Sequence, residues 1–152
     1  MNNSTAWSGK FIVKIKNKSD TEVIEINNVI TNAGLNLLRN FLAGEVSDGQ
    51  LKYLAVGTSS ASVNFTDTQL GAELFRTEFL DQNITSTGVL NSNTILLENE
   101  AVGQIEEVGI FAGSTASSAT NSGIMISRIL FSRDKTNLES IQFQRVDTIG
   151  RG

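Results

Sequence analysis

One stretch of this chain reads as a helix, and everything around it reads as β-strand. From Thr31 to Thr58 the sequence runs TNAGLNLLRNFLAGEVSDGQLKYLAVGT. At about 100° per residue, Ala33, Leu35, Leu37, Leu38, Phe41 and Leu42 fill one continuous arc of roughly 200°. Arg39 and three asparagines fill the remainder. An arc that wide predicts a helix over about residues 32–43 that is largely buried. Thr31 or Asn32 offers the short side-chain oxygen that the free N–H groups of a first turn need. Gly44, after the last apolar residue, suits the left-handed position beyond a helix C-terminus. Gly34 falls inside the apolar arc, where the missing side chain would let a strand pass close.

Period-two alternation governs the rest. Lys10–Lys16 places Phe11, Val13 and Ile15 on one face, and Glu22–Ile26 follows after a polar turn, so the two read as a hairpin. The lysines on the opposite face read as solvated, with Glu22 and Glu25 facing them across the hairpin. Leu51–Val56 is apolar on both faces and reads as a central strand. Leu70–Phe79 ends in a strand, and Asn83–Gly88 reads as a turn. Val89–Leu97 is a strand with Leu90 and Ile95 inward, and Gln104–Phe111 is another. Ala112–Ser122 is low in complexity and reads as an exposed flexible loop. Ile124–Phe131 and Leu138–Val146, separated by SRDKTN, read as a second hairpin, with Leu138, Ile141, Phe143 and Val146 as its apolar set. Short strands without alternating helices imply a mainly β fold, an antiparallel β-sandwich or barrel-like domain of about eight or nine strands with one buried α-helix. The expected layout is a flexible N-terminal arm over residues 1–9, then a single β-rich domain over 10–152. Trp7, the one large apolar group of the arm, either packs on its own domain or docks on a neighbouring subunit.

Composition removes several chemistries. The 152 residues include no Cys, no His and no Pro. Disulfide, thiolate and imidazole chemistry are therefore closed to the chain, and with them the Ser-His-Asp and Cys-His arrangements. Carboxylate pairs remain: Glu98 with Glu100, Glu106 with Glu107, and Asp67 with Glu73 or Glu78. Acidic residues beside turns are far more often solvated than catalytic, so no enzyme and no cofactor is expected. Neither GxGxxG nor GxxxxGK[ST] occurs. A net charge of −4 argues against a nucleic-acid partner. The start MNNSTAWSGK has no basic segment followed by an apolar run, so no signal peptide is expected. No apolar run approaches the roughly 20 residues of a membrane helix.

The order of these elements carries a resemblance. ITNAGLNLLRNFLAG, then YLAVGT, a short loop, and D-x-x-L-x-x-E-x-x-R with Glu73-Leu74-Phe75-Arg76 is similar to small structural proteins of tailed bacteriophages. VGQIEEVGIFAG and GIMISRILFSRDKTNLESIQFQR extend the likeness over nearly all of the chain after residue 9. The resemblance implies a virion component of the tail, baseplate or fibre-attachment region, forming a homo-oligomer and docking on other virion proteins. A capsid decoration or head-fibre protein is the alternative, and a receptor- or carbohydrate-binding module a second one. Trp7, Glu73 and Arg76 are the candidate interface residues. Arg76 is expected either to pin the Asn64–Leu70 loop onto its own domain or to bond across a subunit boundary.

Overall fold

The computed structural model describes residues 5–151. Among them the chain forms β1 (Thr5–Lys16), β2 (Thr21–Asn28), α1 (Asn32–Leu42), β3 (Leu51–Gly57), β4 (Glu73–Glu78), β5 (Asp81–Ser86), β6 (Val89–Leu96), β7 (Gly103–Ala112), β8 (Ile124–Lys135) and β9 (Ser140–Arg151). They make two antiparallel sheets. Sheet A has the order β2-β1-β9-β6-β5 and sheet B the order β4-β3-β7-β8. Neither sheet closes into a barrel, and the fold is a mainly β sandwich with one helix.

The core lies between the sheets and follows from the alternation. Phe11, Val13 and Ile15 of β1 pair with Arg145, Phe143 and Ile141 of β9, and all six side chains are buried. Leu54 and Val56 of β3 and Val108 and Ile110 of β7 face them from sheet B. Phe131 meets Phe143 edge to face, with ring centroids 6.1 Å apart. The β1–β2 hairpin forms as expected, and Lys10 pairs with Glu25 at 3.1 Å on its solvated face, but Glu22, expected to face the lysines as well, lies opposite Ile15 and meets Arg133 of sheet B at 3.3 Å instead.

Several expectations need correction. The second hairpin does not form: β8 pairs with β7 in sheet B, while β9 inserts between β1 and β6 in sheet A. Residues 136–139, between them, cross from one sheet to the other. Lys135 marks the crossing, with its buried ammonium donating to the carbonyls of Leu97, Glu98 and Thr136 at 2.8, 2.9 and 3.3 Å. Burial pushes the Lys135 ammonium down from its ordinary pKa. Leu138, at the tip of the crossing, is exposed. In β6 the inward row is Leu90, Ser92, Thr94 and Leu96, and Ile95 lies on the other face. Polar side chains can point inward there because Thr94 donates to the Glu78 carbonyl at 2.6 Å and Ser92 accepts from Gln82 at 3.1 Å. The stretch at Asn83–Gly88 is strand through Ser86, the outer half of β5, followed by a tight turn at Gly88. Of the expected arm, residues 1–4 lie outside the described residues. Thr5–Gly9 are the first residues of β1, paired with Asp147–Arg151 of β9.

The helix has the predicted ends and a different environment. The Thr31 hydroxyl accepts from the Gly34 N–H at 3.0 Å, and Gly44 follows the C-cap with φ +76°. Thr31 also ties the helix to the outer edge of β8: its N–H donates to the Ile126 carbonyl at 2.8 Å and its hydroxyl to the Met125 carbonyl at 2.7 Å. Gly34 is indeed the close approach, since a Cβ there would lie 3.0 Å from the Ile126 backbone. Yet only Gly34 and Leu37 are buried in α1. Leu35, Phe41 and Leu42 are 48%, 49% and 77% exposed. The helix covers a strand edge rather than filling the core, and an edge is too narrow to bury a 200° arc.

Leu37→Ala should therefore destabilise the protein by about 2–4 kcal/mol, through lost burial and the cavity left behind. Leu138→Ala should cost less than about 0.5 kcal/mol. Urea unfolding of the two variants distinguishes them, and equal midpoints would place Leu37 outside the core.

Candidate functional site

The outer face of sheet B carries two guanidinium–carboxylate clasps, each holding a Ser/Thr-rich loop. Glu107 on β7 is fully buried. Its Oε2 accepts from Arg128 Nε at 2.7 Å and from the Gly71 N–H at 3.0 Å. Its Oε1 accepts from the N–H groups of Ala72 and Ser59 at 2.8 and 3.2 Å. Arg128 on β8 sends its remaining donors to the carbonyls of Ala61 (2.9 Å), Ser59 and Ser62 and to Asp67, the last three at 3.4 Å. The loop 58–72 is thus stitched down by backbone groups that it could not satisfy alone. Burial pushes the Glu107 carboxyl up, but the Ala72 N–H, the Arg128 guanidinium and the Gly71 and Ser59 N–H groups outweigh it and hold the group below its ordinary range.

The second clasp is the E-x-x-R motif. Residues three apart on a regular strand point to opposite faces. Here the register slips between Val56 and Gly57 of β3, so that Phe75 pairs with Val56 and Glu73 with Gly57. The extra residue, Leu74, turns Glu73 and Arg76 onto one face. Arg76 grips Glu73 with two bonds, Nη2–Oε1 at 2.7 Å and Nε–Oε2 at 2.9 Å. Its guanidinium lies 4.5 Å from the Phe111 ring centroid and 5.5 Å from that of Tyr53. Its Nη1 donates to the carbonyls of Ser117 and Ser122 at 2.9 and 3.0 Å. Arg76 pins a loop of its own domain, as one expectation had it, but the loop is that of residues 113–123 and not Asn64–Leu70. The low-complexity segment expected to be flexible is therefore anchored at both ends of its tip. The Arg128–Glu107 clasp, twenty-one residues apart in sequence, carries no local signal and was missed.

A third pair lies between the sheets. Arg145 is fully buried over the Phe11 ring, 4.9 Å from its centroid. Its Nε and Nη2 both donate to Asp147 Oδ1, at 3.1 and 3.0 Å, and its Nη1 donates to Asn28 Oδ1 and Ser127 Oγ at 3.0 and 2.9 Å. Gly9 makes room for it: a Cβ there would sit 1.9 Å from Arg145 Nη2. Trp7, half-buried, donates from Nε1 to the same Asp147 Oδ1 at 3.0 Å. Trp7 is thus part of its own domain's core edge, and Tyr53 is held under Arg76 with its hydroxyl on Glu78 at 2.8 Å.

The structure does not gather the acidic pairs into a cluster. Glu107 is spent on Arg128, Glu73 on Arg76, and Glu100 accepts from the Leu97 N–H. Among the described residues no group of three or more acidic side chains is placed to hold a metal ion, and no helix is long and apolar enough to cross a membrane.

Glu107→Gln should destabilise the protein by about 3–5 kcal/mol near neutral pH, because Arg128 keeps a buried charge without its partner. The folded-state pKa of Glu107 lies below its unfolded value of 4.5. The stabilisation is therefore complete above that value and lost as pH falls through the lower folded one. The gap between wild type and variant should narrow as the pH drops below about 4.5, and a gap independent of pH across that range would contradict the assignment.

Compared with protein-family models, with curated proteins and with solved structures, the chain matches none.

Proposed function

We propose that this chain is a non-enzymatic structural subunit of a tailed-phage particle, in the tail, baseplate or fibre-attachment region, working by self-association and by docking on other virion proteins. The setting rests on the resemblance in Thr31–Arg76 and in the strands that follow. The mode of action rests on one observation, the apolar stripe of α1. Leu35, Leu38 and Leu42 follow one another at helical spacing, with Phe41 beside them, and the sandwich uses only Gly34 and Leu37 of this helix for its own core. A helix tied to a sheet edge by Thr31, with Leu35, Phe41 and Leu42 outward and Leu38 half-buried beside them, is a surface built for a second apolar surface. A second copy of the chain supplies one by symmetry, stripe against stripe, in an isologous contact. In this reading the two clasped loops are scaffolding, and the partners are proteins: no nucleic acid, membrane or cofactor takes part. Capsid decoration uses the same surface in another place on the particle.

The paired change Leu35→Lys and Leu42→Lys tests the mode of action. Both side chains are exposed, so each substitution should alter the stability of the folded chain by less than about 0.5 kcal/mol. Light scattering should show wild type as a defined oligomer and the double variant as a monomer with an unchanged far-ultraviolet spectrum. A monomeric wild type, or an oligomer indifferent to both lysines, would remove the stripe as the contact. Electron microscopy of particles labelled at this protein tests the setting separately.

A further inference from the structure

The outer face of sheet A divides into two halves. Toward β5 its amides bond to one another: Gln144 donates to Asn91 at 3.0 Å, Asn91 to Thr85 at 3.1 Å, and Asn93 and Asn83 to Asp81 at 2.8 and 3.0 Å. Toward the β1–β2 turn the polar side chains are left unengaged. Lys14 stands between Val23 and Gln142, and Lys16 between Thr21 and Ser140, so neither has a carboxylate opposite it on a neighbouring strand. Lys18 joins them from the turn. Among the described residues these three ammonium groups make no ion pair, whereas Lys10, Lys52 and four arginines each hold a carboxylate.

The three lysines line one cleft of about 640 Å³, within the roughly 300–1,000 Å³ of small-molecule sites. Its opposite wall is the crossing between β8 and β9, which contributes Asn137 and Leu138, and Glu98 is the one carboxylate that lines it. A chain of net charge −4 thus gathers three positive charges against one negative in a concave site, and such a site focuses a positive potential. All three lysines are exposed, so an entering anion reaches the ammonium groups without any movement of the fold. The rest of the lining bears on what carries the anion. Thr21, Asn137, Ser140 and Gln142 all reach the cleft, and each side chain both donates and accepts, as the hydroxyls of a sugar do. Among the described residues no aromatic ring lines the cleft, so it offers no platform for stacked nucleic-acid bases. We propose that this cleft binds an acidic saccharide. Lys14, Lys16 and Lys18 take its carboxylate, sulfate or phosphate groups, and Thr21, Asn137, Ser140 and Gln142 take its hydroxyls. No residue of α1 lines the cleft, so this site is separate from the helix stripe.

Titrating the ¹⁵N-labelled full chain with trigalacturonate, a heparin tetrasaccharide and glucose 6-phosphate separates carboxylate, sulfate and phosphate as the anionic group. At least one of the three should shift the backbone amides of residues 14–18 and 137–142 saturably. Cellotriose, which keeps the hydroxyls and lacks the charge, should bind at least about 10-fold more weakly. Inorganic phosphate and sulfate, which keep the charge and lack the hydroxyls, should also bind more weakly than the saccharide. The triple change Lys14→Gln, Lys16→Gln and Lys18→Gln, at exposed positions, should cut saccharide affinity at least about 10-fold while the melting temperature holds. Gln142→Ala should weaken the saccharide and leave inorganic phosphate unaffected. If the triple variant fails to fold, the wild-type shift map and the comparison with cellotriose decide alone. No saturable shift with any of the three acidic saccharides, or equal affinity for cellotriose, would overturn the proposal. So would tighter binding of an inorganic anion, of oligothymidylate or of phosphatidylglycerol vesicles than of every acidic saccharide.

Discussion

The buried carboxylate of Glu107 is the point on which the outer half of this sandwich depends. β3 and β7 are apolar on both faces, so sheet B cannot leave its outer face in water. It has no second layer of sheet or helix there, only the loops 58–72 and 113–123. A loop laid over a sheet brings backbone N–H and carbonyl groups that must be met. Glu107 meets three of the N–H groups and Arg128 meets three of the carbonyls. An ion pair in this position gains little over an apolar pair of the same volume. What it does here that an apolar pair could not is satisfy both polarities of a folded-back loop at once, and Leu70 then packs on Ala55, Phe111 and Met125 beneath it. Glu73 and Arg76 repeat the device on the neighbouring loop, with a bulge supplying the geometry that plain strand spacing denies.

How much of this could be read in the sequence depended on the range of the interaction. Local rules worked where local physics decides. Thr31 caps its helix, Gly34 lets Ile126 approach, Gly44 ends the turn, and Phe11, Val13 and Ile15 point inward as their alternation says. The same rules failed where the partner is distant. The wheel measures how much of α1 is apolar, not how wide a surface awaits it, so Leu42 read as core and stands 77% exposed. Ile124–Phe131 and Leu138–Val146 look like a hairpin because nothing in SRDKTN shows that Lys135 is anchored to the β6–β7 turn instead. Asp81–Ser86 has Ile84 as its one apolar residue, and an edge strand so little buried needs no alternation to exist. Glu107 and Arg128 are invisible as a pair, since their spacing fixes no geometry until β7 and β8 are paired. In the E-x-x-R motif the residues were legible and their loop was not.

The three buried guanidinium groups also divide the labour between faces. Arg128 and Arg76 hold loops on the outside of sheet B, while Arg145 sits between the sheets and bridges them through Ser127 of β8 and Asn28 of β2. Arg145 is the more constrained, since Gly9 must lack a side chain to admit it. The result is a core whose far end is polar and held in register by directional bonds. The uneven treatment of Asp147 follows from that arrangement: two guanidinium donors and the Trp7 indole converge on one oxygen, and the geometry of the strand leaves the other turned away from all three.

Strand edges decide which surfaces remain for assembly. A sandwich with four edge strands invites edge-to-edge pairing unless each is blunted. β8 is covered in part by Thr31 and α1, which take the Ile126 and Met125 carbonyls. β4 is bulged at Leu74 and runs directly into the crossover at Phe79 and Leu80, where both N–H groups are bonded to neighbouring strands. β5 is short and slips register between Ile84 and Ser86, which twists its free edge away from a straight partner. β2 presents Glu25 on its solvated face and Glu22 on the opposite one, where it reaches Arg133 of sheet B at 3.3 Å. With the edges so managed, pairing through added strands is disfavoured on every side. The helix stripe is the surface left without such a device, and that asymmetry is the physical reason to look for self-association there rather than along the sheets.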